Sequence, residues 1–93
     1  MIVGYARVST DAQALEGQIE ALEAAGAERV FREKVSGARR DRPELRRMLE
    51  GLGEGDTLLV TRLDRLARST RDLLDVLAIL AERGALFRSL GDA

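Results

Sequence analysis

A serine at the end of a predicted strand, with an arginine two residues before it, is the feature of this sequence most suited to chemistry. Side chains two residues apart in an extended segment lie on the same side, so Arg7 and Ser9 face the same way. Two further arginines, Arg65 and Arg68, follow a later predicted strand. The sequence has no histidine to serve as a general base. Several guanidinium groups would instead stabilise charge developing on a phosphoryl group, which favours phosphoryl transfer over acyl transfer.

The elements that must position these residues alternate between strands and helices. Apolar patterning, helix caps and glycines predict strands at 2–8, 28–33, 57–61 and 85–90. Helices are predicted at about 10–25, 43–52 and 69–83, with a short turn or helix at 63–68. This order predicts an α/β fold with an open, mainly parallel four-stranded sheet flanked by helices. The last helix is apolar over more than one face, which indicates either deep burial or contact with a partner.

Local signals mark where the predicted helices begin and end. Thr10 begins the first helix with a capping box whose other member is Gln13. Pro43 suits the first turn of the second helix, and Ser69 caps the last. Gly84 ends that last helix.

Charged loops follow the carboxyl ends of the first three strands, at one edge of the predicted sheet. The polar residues that these loops deliver are Arg7 and Ser9, then Glu33, Ser36, Arg39, Arg40 and Arg42, then Arg62, Asp64, Arg65 and Arg68. The loops at the opposite edge, 26–27, 53–56 and 84–85, hold no Lys or Arg. Since open α/β sheets bind ligands outside the carboxyl ends of their strands, the asymmetry predicts a site for an anionic group, most simply phosphate.

Composition narrows the classes of protein that fit. The chain of 93 residues predicts one small domain. It has no cysteine, so we expect neither disulfides nor a thiolate site, and no carboxylate cluster suggests a metal pair. No apolar run approaches the ~20 residues of a membrane span, and Met1 leads directly into the first predicted strand without a signal peptide. We therefore expect a cytoplasmic protein that does not contact membranes.

Charge is unevenly distributed along the chain, although the net charge is only −1. Residues 29–71 hold twelve Lys or Arg against seven Asp or Glu, whereas both flanking segments are acidic. Lys34 is the only lysine, and arginine is the residue best suited to bidentate phosphate contacts. A GC-rich genome is an alternative explanation for so many arginines.

Each candidate residue also has a purely structural interpretation. Ser9 or Thr10 could serve only as a helix cap, and Tyr5 could be an ordinary core residue. The Ser36-Gly37 pair could form a simple turn. Arg65 and Arg68 could lie on a solvated surface, paired with Asp64 or Asp72. Their joint placement at one edge of the sheet is what favours a site.

Taken together, these residues resemble the catalytic domain of the small serine recombinases, the resolvase/invertase family. The resemblance covers essentially the whole chain, in order and with matching gaps. It is carried by Tyr5-Ala6-Arg7-Val8-Ser9-Thr10, Ser36-Gly37, Asp41-Arg42-Pro43 and Leu63-Asp64-Arg65-Leu66-Ala67-Arg68, with glutamines at Gln13 and Gln18.

The resemblance implies a role for each matching residue. Ser9 corresponds to the nucleophile that attacks a phosphodiester of double-stranded DNA, forming a 5′-phosphoserine link and freeing a 3′-hydroxyl. The arginines implied around the scissile phosphate are Arg7, Arg42, Arg65 and Arg68. Asp64 corresponds to an acid that helps hold them, and the supporting positions are Tyr5, Gln13, Gln18 and Ser36.

The resemblance also implies cofactors and partners. No metal and no other cofactor is expected, because the phosphoserine link conserves the bond energy for rejoining the strand. The family acts as a homodimer that pairs into a synaptic tetramer, in which strands are exchanged and religated. We accordingly expect a bacterial, DNA-associated enzyme of site-specific recombination and integration.

Two features depart from the family pattern. Glu33 stands where many relatives have aspartate, and it is the candidate for the supporting acid at that position. The sequence stops at Ala93, where the family continues with a dimerisation helix and a helix-turn-helix domain. We therefore expect residues 1–93 to be a catalytic domain without its DNA-reading partner, and the fragment alone to be a poor recombinase.

Two other functions fit parts of the pattern. The chain could be a catalytically idle fragment that acts only in oligomerisation or regulation, through the apolar helix 70–83. It could also be a small phosphate-binding α/β domain, although it lacks a glycine-rich phosphate loop.

Overall fold

The computed structural model describes residues 1–8, 12–34, 42–67 and 69–91. Within these residues, strands and helices follow each other in the order that the sequence predicts. The strands are β1 (Ile2–Val8), β2 (Arg29–Lys34), β3 (Thr57–Val60) and β4 (Leu86–Ser89). The helices are α1 (Ala12–Ala24), α2 (Pro43–Gly51), α3 (Leu63–Leu66) and α4 (Thr70–Arg83).

The four strands form one sheet in the order β2-β1-β3-β4, and all three pairings are parallel. The predicted α/β fold with an open parallel sheet is therefore confirmed. The chain leaves β1 toward β2 and then crosses back past β1 to β3, so the strand order reverses between β1 and β3. Such a reversal opens a crevice at the carboxyl ends of these two strands. The end of β1 and the helix α3, which directly follows β3, both lie at this crevice.

Helices cover both faces of the sheet, and β1 contributes to each core by simple alternation. Val3 and Tyr5 are buried in the larger core, with apolar side chains of α2 and α4. Ala6 lies in the smaller core, with Ile19 and Leu22 of α1. The central strand is thus buried on both faces, as parallel strands in α/β folds usually are.

Gly4 permits the close approach of α1 to the sheet. A Cβ atom at this position would lie 3.2 Å from the Leu22 side chain and 3.3 Å from Val30. Because the sheet and the helix are both fixed by their cores, a larger residue at position 4 would push α1 away from β1.

The predicted signals at the ends of α4 are confirmed. The Ser69 hydroxyl oxygen accepts a hydrogen bond from the backbone N–H of Asp72 at 3.1 Å. Gly84 ends the helix with a φ of 70°, in the left-handed region that favours glycine. Pro43 begins α2 as expected. The predicted Thr10 cap lies outside the described residues.

The structure differs from the predicted pattern in a few places. Helical periodicity predicts Ala12 on the apolar face of the first helix, but Ala12 is exposed, whereas Gln18 is buried. In α4, Val76 and Leu80 are buried but Leu74 is 61% exposed. Only part of the apolar surface of this helix is therefore buried in the core. Among the described residues, no helix is long and apolar enough to cross a membrane.

The amino terminus is tied to the turn before β3 by Asp56. This carboxylate accepts from the backbone N–H of Gly53 at 2.9 Å and lies 3.2 Å from the terminal ammonium of Met1. The Gly53 hydrogen bond, followed by the ammonium group, lowers the pKa of Asp56 below its ordinary value. A carboxyl group whose pKa is lowered in the folded state stabilises that state above its unfolded pKa and loses this effect as pH falls through the folded pKa.

We therefore expect Asp56→Asn to lower the urea midpoint of unfolding at about pH 6, and the difference from wild type to shrink as pH falls through the lowered pKa of the folded state. Glu54→Gln removes the same charge from an exposed position in the same turn and is the matched control. A loss of equal size in both variants, or a loss that persists at the lowest pH, would contradict this role for Asp56.

Candidate active site

Tyr5 and Glu33 form a buried hydrogen bond between neighbouring strands. The Tyr5 hydroxyl donates to Oε2 of Glu33 at 2.6 Å, and the two residues are 0% and 5% exposed. The same carboxylate accepts from the backbone N–H of Glu44 at 3.0 Å and of Leu45 at 3.3 Å. Glu33 thus caps the N-terminus of α2, whose preceding residue, Arg42, makes no side-chain cap. Three donors and the positive end of the helix dipole compensate for burying this carboxylate.

Tyr5 stays protonated in this environment. Burial raises the pKa of its hydroxyl group, and the hydrogen bond to Glu33 and the charge of that carboxylate raise it further. At neutral pH the phenol is therefore a hydrogen-bond donor. It cannot serve as a general base or as a phenolate nucleophile.

Gln18 fixes the backbone of Arg7 near the end of β1. Pairing between β1 and β3 extends only from Ile2 to Gly4. Beyond this point, the Gln18 side-chain amide accepts from the N–H of Arg7 at 3.2 Å and donates to its carbonyl oxygen at 2.9 Å. A buried amide of α1 thus takes over the role of a neighbouring strand.

The Arg7 guanidinium crosses the crevice to α3. Its Nε donates to the carbonyl oxygen of Arg65 at 3.2 Å, and its Nη2 donates to that of Asp64 at 2.9 Å. These carbonyl groups belong to the last turn of a helix and have no partner within it. Arg7 thereby joins the end of β1 to the segment after β3.

Arg42 reaches the same segment from the other side. Its Nη1 donates to the carbonyl oxygen of Leu66, and its Nη2 lies 2.6 Å from Oδ2 of Asp72 in an ion pair. The Arg42 side chain is only 8% exposed. This ion pair was not predicted, because no local pattern in the sequence links residues 42 and 72.

Together the two arginines bind three of the four carbonyl groups of α3. The fourth, that of Leu63, accepts from the backbone N–H of Ala67 at 3.0 Å. Since α3 carries Arg65 and leads into residue 68, these contacts hold the predicted phosphate-binding segment next to the end of β1. The arrangement gathers guanidinium groups at the crevice, as an anion site requires.

The remaining predicted site residues are placed as follows. Asp64 is exposed, and its carboxylate lies 3.5 Å from Nε of Arg62. Gln13 is exposed on α1, and Arg65 is half-buried on α3. Ser9, Ser36 and Arg68 lie outside the described residues. No cluster of His, Cys, Asp or Glu suited to a metal ion is present in the described part of the chain.

Comparison with known proteins identifies the family. The model of the resolvase N-terminal domain matches residues 2–93. The chain belongs to this family of serine recombinases. It is 50% identical over 93 residues to the serine recombinase gin of Escherichia phage Mu, covering 100% of this chain and 48% of gin. It is 48% identical over 93 residues to a DNA-invertase of Escherichia phage P1, covering 100% of this chain and 50% of the invertase.

The remaining comparisons agree with this family. A resolvase of Clostridium perfringens is 46% identical over 94 residues, covering 99% of this chain and 50% of the resolvase. A solved structure of a serine recombinase from Sulfolobus solfataricus superimposes with a TM-score of 0.82 at 22% identity, covering 99% of this chain and 69% of that one. At that identity the superposition shows the fold alone. The chain spans about half the length of the curated relatives it matches.

We expect Gln18→Leu to lower the free energy of unfolding by about 1–3 kcal/mol, because two partly buried backbone groups of Arg7 lose their partners. The measurement is urea denaturation followed by circular dichroism. Glu20→Leu places a leucine at an exposed position of the same helix and should stay within about 0.5 kcal/mol of wild type. Equal losses in the two variants would show that the Gln18 amide does not support β1.

Proposed function

We propose that this chain is the catalytic domain of a site-specific serine recombinase that cleaves and rejoins double-stranded DNA through a 5′-phosphoserine intermediate. The observation that carries the proposal is the convergence of Arg7 and Arg42 on α3 at the sheet crevice. The strand that bears Arg7 leads directly to Ser9. Membership of the resolvase family supplies the substrate class, which the geometry alone leaves open.

In the proposed reaction, the Ser9 hydroxyl oxygen attacks a backbone phosphorus atom of DNA. The bond from phosphorus to the 3′ oxygen breaks as the bond to serine forms, and the serine proton is balanced by the proton gained by the 3′-hydroxyl. Rejoining is the reverse attack by a 3′-hydroxyl. One phosphodiester is exchanged for another in each direction, so the reaction consumes no nucleotide.

The arginines would supply the electrostatic part of catalysis. Arg7, Arg42, Arg65 and Arg68 are proposed to surround the phosphate and to stabilise the negative charge that develops during attack. Asp64, Gln13, Gln18, Glu33, Tyr5 and Ser36 are proposed as supporting residues. Tyr5, Gln18 and Glu33 form hydrogen bonds that position the end of β1 and the start of α2, which is the proposed basis of their supporting role.

The proposed partners are duplex DNA and further copies of the protein. Exchange of strands between two sites needs four active sites, which a synaptic tetramer of two dimers would provide. Leu74, 61% exposed on α4, is an apolar residue available for such contacts. A fragment that acts only in association would use the same face, without chemistry at Ser9.

Incubating the native protein that contains this chain with supercoiled DNA bearing its flanking sequences, and quenching in denaturant, tests the proposal. We expect a covalent protein–DNA adduct with wild type and at least about a thousandfold less with Ser9→Ala, because the nucleophile is removed. The Ser89→Ala variant, on β4, makes the same change and should retain the adduct. If wild type and Ser9→Ala behave alike on occupied DNA, the association fragment becomes the better interpretation.

A further inference from the structure

Arg42 is placed where it cannot meet a DNA phosphate in the conformation described. Its side chain is 8% exposed, whereas those of Arg62 and Arg47 are 64% and 66% exposed. The guanidinium lies between the carbonyl oxygen of Leu66 and the carboxylate of Asp72. A phosphate on a DNA backbone approaches from solvent, so a covered guanidinium must first be uncovered.

We propose that Asp72 is an autoinhibitory counter-ion, which holds Arg42 inside the site until a phosphate oxyanion replaces the carboxylate at Nη2. The inference rests on the proposed function, in which Arg42 is one of the arginines that surround the scissile phosphate. It adds that Asp72 neutralises this arginine in the DNA-free chain. A DNA phosphate and the Asp72 carboxylate then compete for the same Nη2 donor of Arg42.

Electrostatics supports competition between the two anions. The carboxylate and the guanidinium meet at 2.6 Å with one partner nearly covered, so their attraction is stronger than that of an exposed pair. A phosphate brought to the same Nη2 would lie beside the Asp72 carboxylate, and like charges in contact repel. Binding of phosphate therefore requires Asp72 to turn away.

Both partners are placed so that they can separate without unfolding their helices. Arg42 precedes the first residue of α2, with φ −132° and ψ 78°, and it is not part of the helical backbone. Asp72 lies in the first turn of α4, and its side chain is 28% exposed, so solvent already reaches it. The N–H of Asp72 donates to the Ser69 hydroxyl oxygen, a contact that does not involve the Asp72 carboxylate.

Replacing Asp72 by asparagine removes the negative charge of the side chain while keeping nearly the same shape. Its amide oxygen still accepts a hydrogen bond from Arg42, but the negative charge that competes with phosphate is gone. Asp75→Asn removes the same charge from an exposed position one turn later on α4, and it therefore controls for the change in net charge.

Inorganic phosphate is the probe, and NMR of the 93-residue chain with ¹⁵N-labelled arginine is the readout. The Arg42 side-chain signal is assigned by its disappearance in Arg42→Lys. We expect Asp72→Asn to shift this signal with half-saturation at about fivefold lower phosphate than wild type, as loss of one partly buried charge pair implies. Asp75→Asn should titrate as wild type does.

Two results would overturn the inference. If Asp72→Asn and Asp75→Asn change the half-saturation equally, net charge alone is responsible. If Asp72→Asn weakens phosphate binding, Asp72 orients Arg42 for phosphate and does not block it. Should Asp72→Asn melt below the measuring temperature, Asp72→Ser removes the charge while keeping a residue that is tolerated in the first turn of a helix, and the same expectations apply.

Adduct formation by the native protein separates this inference from the proposed function. If the counter-ion role of Asp72 and the recombinase function are both correct, Asp72→Asn raises the rate of Ser9-dependent adduct formation in a single turnover. If Asp72→Asn tightens phosphate binding as expected but no Ser9-dependent adduct forms in any variant, the result supports Asp72 as a counter-ion and contradicts the proposed recombinase function. If the adduct forms but Asp72→Asn leaves the phosphate titration unchanged, the result contradicts Asp72 as a counter-ion and supports the proposed recombinase function.

Discussion

The buried carboxylate of Glu33 is the contact on which the arrangement of the site depends. It belongs to β2, accepts from Tyr5 on β1 and caps α2 through two backbone N–H groups. An ionised carboxylate in a protein interior is costly unless donors surround it, and a helix N-terminus without its own cap needs an acceptor. Each group therefore satisfies the other. Because Arg42 immediately precedes α2, this contact also sets where the Arg42 side chain begins.

A four-residue helix such as α3 is not stable by itself, and arginine donors explain why it persists here. Helix formation becomes favourable only over many more residues, since the first turn fixes several dihedral angles for one hydrogen bond. Arg7 and Arg42 satisfy the carbonyl groups of Asp64, Arg65 and Leu66. The side chains that hold α3 are thus the same ones that are proposed to contact phosphate. A loss of activity on replacing either arginine would mix both roles, so it would not measure a phosphate contact.

The order of strands and helices was predictable because its signals are local. Ser69, Pro43 and Gly84 act within one turn of their helices, and alternation along β1 places Tyr5 in the core. The burial of Gln18 was not predictable by periodicity, because it depends on where pairing between β1 and β3 ends. The resemblance to serine recombinases nevertheless singled this position out.

The ion pair of Arg42 with Asp72 joins positions 30 residues apart, and the crossing of α2 and α4 decides it. Local signals therefore predict the order of strands and helices, whereas tertiary contacts decide which charged groups form pairs. The family assignment from the sequence was confirmed in full. The roles of Ser9, Ser36 and Arg68 stay predictions, as these residues lie outside the described part of the chain.

The net charge of the chain is only −1, so the kind of contact that each arginine makes matters for the potential at the crevice. Arg7 donates to two carbonyl groups, which accept hydrogen bonds without cancelling its charge. Arg42 is paired with a carboxylate, so its charge is offset. A dipole orients a guanidinium, whereas an anion orients and neutralises it. The carbonyl contacts of Arg7 therefore act on its orientation, whereas the Asp72 contact of Arg42 acts on both orientation and charge.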